Sequence, residues 1–141
     1  MDKMKYLIKI EDLHLAEGEE ESSELMIVGT AAFYGDSYKI RYKETDDQFK
    51  NSYVTLSVEN GSKVTMHRSG DYTTVMVMEK NKRHSCVYNT PAGSFTMGIY
   101  TSDVVSDMDE SGGTLTFRYT LDVNNNLISE NILKVTLQRK E

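Results

Sequence analysis

Tryptophan is absent from this 141-residue chain, and cysteine and proline occur once each. A lone Cys86 excludes an internal disulfide, so packing and hydrogen bonds must hold the fold, and a single thiol fits a reducing compartment. One proline, Pro91, leaves nearly every backbone N–H available for a sheet ladder. Long apolar runs are also missing. No segment approaches the roughly 18 apolar residues of a membrane helix, and Met1 to Ile10 hold charged side chains instead of a signal-length apolar run. The chain therefore reads as a soluble, cytoplasmic protein with no membrane partner. Basic clusters are scarce too. With a net charge of −6 and no basic grouping along the sequence beyond Lys80, Lys82 and Arg83, nucleic acid is not expected as a partner.

What the sequence does contain is alternation. In Thr114 to Asp122, Leu115, Phe117, Tyr119 and Leu121 share one face, and Thr114, Thr116, Arg118, Thr120 and Asp122 share the other. A strand with one wet side needs this period of two, and a helix would scatter both sets. The same test pairs Val54, Leu56 and Val58 against Thr55, Ser57 and Glu59, then Val64, Met66 and Arg68 against Thr65, His67 and Ser69. Between these two runs stands Asn60-Gly61, a type I′ hairpin signal because both central positions need positive φ.

Further strands are expected over Met4 to Leu15, Glu24 to Tyr34, Ser37 to Lys43, Tyr72 to Glu79, His84 to Thr90, Ser94 to Thr101 with an extension to Met108, and Leu127 to Arg139. Turns fall at Gly35-Asp36, Gly70-Asp71, Asn81 to Arg83, Pro91 to Gly93, Ser111 to Gly113 and Asn124 to Asn126. The acidic stretch Ala16 to Ser23 reads as a solvated hairpin loop, and Asp46 to Ser52 as at most one helical turn. No repeat and no linker divides the chain, so residues 1–141 form one domain. About ten strands joined by short connections either pack as a Greek-key sandwich or roll up, and closure leaves fewer exposed edges.

A set of segments in fixed order carries a family resemblance. These are Glu24 to Gly29 with Thr30, Tyr38 to Tyr42 with Glu44 and Thr45, and Val64 to Met66 with Arg68 and Gly70. His84 to Tyr88, Thr90-Pro91-X-Gly93-X-Phe95, Tyr100-Thr101, Gly112-Gly113 and Ser129-Glu130-Asn131 complete it. Together they resemble the uncharacterised bacterial YwiB-like family, over essentially the whole chain. That resemblance implies an all-β, antiparallel up-and-down meander closed into a calycin-like, lipocalin-like β-barrel of about eight to ten strands. It brings no established activity.

Arg68 is the first candidate site residue, because alternation places its guanidinium on the apolar side beside Val64 and Met66, where an uncompensated charge is costly. Likeness to fatty-acid-binding calycins implies an internal Arg and Tyr set holding a ligand carboxylate, with Tyr72, Tyr88, Tyr100 and Tyr119 as hydroxyl sources. Against this stands a plainer reading in which Arg68 snorkels outward at the strand end or pairs with an internal Glu. Met66 and Met76 are lining candidates, although thioethers also fill ordinary cores. Strand Tyr72 to Glu79 is apolar on both faces, so its outer face is expected to meet another element or a partner chain.

His84, Cys86 and Tyr88 share one strand face, too few ligand-type residues at that spacing to specify a metal. His84 is kept as a ligand-site candidate; Cys86 beside it suggests a nucleophile and base, but both point along one strand face and no third positioning residue or oxyanion loop is recognisable, so no catalytic residue and no cofactor are assigned. Gly98 marks a bulge, a barrel bend or close approach of a ligand, the bend being the default, and Ser129 and Asn131 hydrogen-bond to Arg68 or an internal ligand, satisfy one another or line a barrel mouth. The sequence thus favours a non-enzymatic barrel for a small amphipathic ligand, a carboxylate above all. A filled barrel that serves structure or protein interaction is the alternative, with a homodimer among its forms.

Overall fold

The computed structural model describes residues 4–45 and 51–140. Ten strands account for most of them: β1 Met4–Ala16, β2 Glu19–Tyr34, β3 Ser37–Lys43, β4 Tyr53–Glu59, β5 Lys63–Ser69, β6 Thr74–Glu79, β7 Lys82–Thr90, β8 Gly93–Asp109, β9 Gly112–Val123 and β10 Asn126–Arg139. They form one antiparallel sheet in the order β6-β5-β4-β3-β2-β1-β10-β9-β8-β7. Consecutive strands are neighbours throughout, and β1 joins the two ends of the chain by pairing with both β2 and β10. The all-β meander is therefore rolled into a nearly closed barrel, and no described helix is long and apolar enough to cross a membrane.

Turn chemistry fixes the registers. Asn60-Gly61, Glu17-Gly18 and Asn124-Asn125 each carry positive φ at both central positions, the requirement of a type I′ turn. The acidic stretch is consequently not a loop. Only Glu17 and Gly18 turn, and Glu19 to Ser23 continue as β2 against β1 down to Ala16↔Glu19. Tyr72 lies outside the strand expected for it, because β6 begins at Thr74. The expected helical turn falls mainly on residues 46–50, outside the described residues.

Inward positions build the core by the alternation read from sequence. Ile8, Ile40, Leu56, Val64, Met78, Ile99, Leu115, Phe117 and Val135 are completely or almost completely buried. Each such side chain contributes roughly 1.5–3 kcal/mol through burial. One end of the barrel is plugged by aromatics. Phe33 meets Tyr6 edge-on at 6.3 Å between ring centroids and lies 5.3 Å from Tyr38. The two hydroxyls are satisfied there, Tyr6 donating to the Glu110 carbonyl at 2.5 Å and Tyr38 sharing a 2.6 Å hydrogen bond with Ser106.

Closure is incomplete at one seam, where β6 and β7 form no ladder. Side chains bridge it instead. His84 Nε2 lies 3.0 Å from Glu79 Oε1 towards one end of the seam, and Asn89 Nδ2 donates to the Thr73 carbonyl at 2.5 Å at the other. In the turn that joins β6 to β7, the Asn81 N–H donates to the Thr101 carbonyl of β8 at 2.7 Å, just beyond the Lys82↔Thr101 pair of β7 and β8. On the outer face here, Val75 and Val87 are 45% and 52% exposed, so no described part of this chain covers the apolar outer face of β6.

Gly98 stands where two side chains approach the backbone closely. A Cβ there would overlap the Arg83 guanidinium, which crosses the outer face of β8 to reach Asp122 at 2.6 Å. The glycine clears the path of that ion pair.

Candidate functional site in the polar end of the barrel

Opposite the aromatic plug, the inward rows change character. Following the apolar phase of β1 through Tyr6, Ile8 and Ile10, the next inward residues are Asp12 and His14. They stand in register with Ser23 and Glu21 of β2 and with Leu133 and Asn131 of β10. The same end receives Tyr42 from β3, Arg68 from β5, Tyr88 from β7, and Tyr119 from β9. Polar and ionisable groups thus gather inside one mouth.

Arg68 faces inward, between Val54 of β4 and Thr74 of β6. Its side chain is only 11% exposed, and its Nε lies 3.5 Å from Glu44 Oε2, itself 15% exposed. The guanidinium also sits over the Tyr88 ring, 5.6 Å from the centroid, a cation–π arrangement. Of the alternatives open in the sequence, the internal Glu is the one this arrangement realises. Glu44 follows the end of β3 and shows no strand alternation, which hid it from a periodicity argument.

Tyr42 and Tyr119 are the best buried hydroxyls of the site. Burial first, and then the Glu44 carboxylate, push the Tyr42 phenol well above its ordinary range, with Arg68 opposing. For Tyr119 burial again leads, followed by the nearby Asp12 carboxylate and Tyr88. Both therefore stay neutral and able to donate at any physiological pH. Arg68, Tyr88, Tyr119 and Asp12 form an electrostatically connected row across the mouth.

On the β1 wall, His14 Nδ1 lies 2.7 Å from Asn131 Oδ1, and Asn131 Nδ2 donates to Ser129 Oγ at 3.0 Å. Ser129 and Asn131 are bonded to one another, one of the sequence readings, and His14 takes the remaining end of the Asn131 amide. Asp12 Oδ1 is buried with no hydrogen-bond partner among the described residues, and burial pushes the carboxyl up from its usual value, His14 opposing. Asp12, His14, Glu21, Ser22 and Ser23 line an open cleft of about 290 Å³.

The other candidates divide. Met66 and Met76 face each other across β5 and β6 in the layer below Arg68, and Met76 is buried. Tyr88 lies in the mouth. His84 faces inward but stands two positions deeper along β7, with Cys86 between, and is engaged at the seam by Glu79. Tyr72 is half-buried in the turn between β5 and β6. Tyr100 is a correction: it pairs with Arg83 and Thr120 on the outer face, 39% exposed, because alternation sends Ile99 and Thr101 inward. Cys86 is buried and its thiol is pushed up by desolvation, which suits a small core hydrophobe.

A family model described as a domain of unknown function, DUF1934, matches residues 8–135, from within β1 to within β10. The chain belongs to this family. Among solved structures, the crystal structure of ywiB protein from Bacillus subtilis superposes with a TM-score of 0.87 at 17% sequence identity, covering 99% of this chain and 94% of that one. The YwiB-like resemblance and the calycin-like barrel architecture are thereby both supported, and at this identity the second comparison speaks to fold alone. No curated protein matches the chain. A family described as of unknown function brings no activity with it, so the mouth is read from its chemistry.

Proposed function

We propose that the barrel binds a small amphipathic carboxylate at its polar end, with Arg68 as the anchor, Tyr88 and Tyr119 as hydroxyl partners, and Met66 and Met76 as apolar lining. One observation carries this reading. A buried guanidinium already holds a carboxylate, that of Glu44, and that carboxylate comes from a segment outside the ladders. Glu44 thus stands where a ligand carboxylate would dock, as an internal competitor that a ligand displaces by offering apolar contacts in addition to charge. An aromatic-plugged lower half and an open polar mouth suit a short amphiphile with its carboxylate at Arg68. The interaction-protein alternative draws on a different observation, the uncovered Val75 and Val87 beside the unladdered seam.

Calorimetric titration with decanoate tests the proposal. Wild-type protein should bind it, Arg68→Gln should not, and Glu44→Gln should bind more tightly because the competitor has lost its charge. No heat from wild type and Glu44→Gln alike, with a graded series of alkyl and aryl carboxylates, overturns it. A concentration-dependent dimer in light scattering, lost on Val75→Lys, would then favour the interaction reading.

A further inference from the structure

We infer that Asp12 and His14 form a second recognition point, specific for a protonated amine. Resting on the carboxylate reading above, this makes the ligand an amino carboxylate that spans the mouth.

The tautomer of His14 follows from its neighbours. Asn131 uses its Nδ2 to donate to Ser129 Oγ at 3.0 Å, so the atom it turns towards His14, at 2.7 Å, is the acceptor Oδ1. Facing that oxygen, Nδ1 is the donor, and Nε2 of a neutral ring is then an acceptor. Asn131 is buried and held by Ser129, which is also buried, so the orientation of the imidazole is fixed by the fold.

Asp12 stands one inward position before His14 on β1, and its Oδ1 is buried with no hydrogen-bond partner among the described residues. A buried acceptor left unmet is a standing cost that a donor would remove. Glu21 lies directly across from His14 on β2 and adds a further carboxylate. The cleft these residues line with Ser22 and Ser23 contains no Lys or Arg. Its charged groups are carboxylates and its hydroxyls can turn to accept, and the group that matches several convergent acceptors while neutralising carboxylate charge is an ammonium, with three donors and one positive charge.

The position of this cleft relative to Arg68 sets the ligand class. Around the barrel, β1 and β5 are four strands apart in a ring of ten, so a cationic and an anionic recognition point stand on nearly opposite walls of the same end. Tyr88, over which Arg68 sits, and Tyr119, which feels both Tyr88 and Asp12, lie between them. A ligand with a carboxylate at one end and an amine at the other meets both.

Calorimetry on the full chain separates this inference from the one beneath it. The probes are octanoate, its ω-amino and ω-hydroxy derivatives, and octylamine, with longer and shorter homologues of each. The amino carboxylate should bind about tenfold or more tighter than octanoate, the scale of one charge-assisted hydrogen bond to a buried carboxylate. Asp12→Asn should remove that advantage, so that the ω-amino and ω-hydroxy derivatives bind alike, and a circular dichroism spectrum matching wild type shows that the variant is folded. An amino carboxylate no tighter than octanoate, or matched by the hydroxy derivative, overturns the amine site while the carboxylate reading stands. Octylamine binding that depends on Asp12, with octanoate inert, supports the amine site and removes the Arg68 anchor. If no probe of either kind binds, both fall.

Discussion

Breaking the Arg68–Glu44 pair tests whether the polar end is held together as its geometry requires. At the observed 3.5 Å, an effective dielectric near 20 gives a gross attraction of about 5 kcal/mol, most of which offsets the loss of hydration on burial. The net value of the pair is therefore small, but removing one partner leaves the other in a poorly hydrated site. Arg68→Met, which keeps the apolar stem, should cost roughly 3 kcal/mol, towards the low end for a stranded buried charge. Glu44→Gln should cost about 2 kcal/mol, because the Tyr88 ring still faces the guanidinium. In the double variant neither charge is stranded, so the combined loss should fall short of the sum by about 2 kcal/mol. Urea unfolding followed by tyrosine fluorescence and circular dichroism supplies all four free energies. Losses that add within about 0.5 kcal/mol would refute the coupling, and with it the claim that Glu44 occupies the guanidinium in the fold.

Asp12 gives a pH prediction with a definite sign. Burial raises its folded pKa above the ordinary 3.8, so the folded state binds this proton more tightly than the unfolded chain does. Its ionised form therefore weakens the fold at neutral pH, and the penalty is relieved as pH falls through the folded pKa towards 3.8. Asp12→Asn should stabilise the protein by about 1 kcal/mol at pH 7, with the difference vanishing in unfolding curves below pH ~3.8; destabilisation at neutral pH would contradict this. Gly98→Ala should lower the midpoint of thermal unfolding by displacing Arg83 from Asp122, and should lower it less in an Arg83→Ala background, where only the approach to Asp122 remains. Amide exchange should separate the seam from the rest. Edge amides of β6 and β7 that face each other should exchange faster than those of β1, which is laddered on both sides; equal protection would mean that the seam is closed.

The barrel was legible because its evidence is periodic. Leu115, Phe117, Tyr119 and Leu121 alternate cleanly, and Asn60-Gly61 demands one particular hairpin, so strand phase and connection are both local properties of the sequence. Arg68 was legible for the same reason, as a charge in phase with Val64 and Met66. Asp12 and His14 were within reach of that argument too: the phase of Tyr6, Ile8 and Ile10, carried two strand periods further, turns both inward, but a polar end to an apolar row looks like an exposed strand tip until the neighbouring strands are known. Glu44 was not legible, since it sits beyond a strand end where alternation says nothing. Tyr100 went the other way, because it was named for its hydroxyl alone, and its neighbours Ile99 and Thr101 take the inward positions of β8. The acidic Glu19 to Glu24 segment hid a strand for a compositional reason, as its charges are tolerated where both faces of a long hairpin reach water.

Native mass spectrometry of the protein purified gently from its own cells tests the central claim most directly. A retained small molecule that carries a carboxylate, present on wild type and lost on Arg68→Gln, is the predicted result. Bare protein from every growth condition, or an adduct retained equally by Arg68→Gln, would contradict a ligand anchored in the polar end of the barrel.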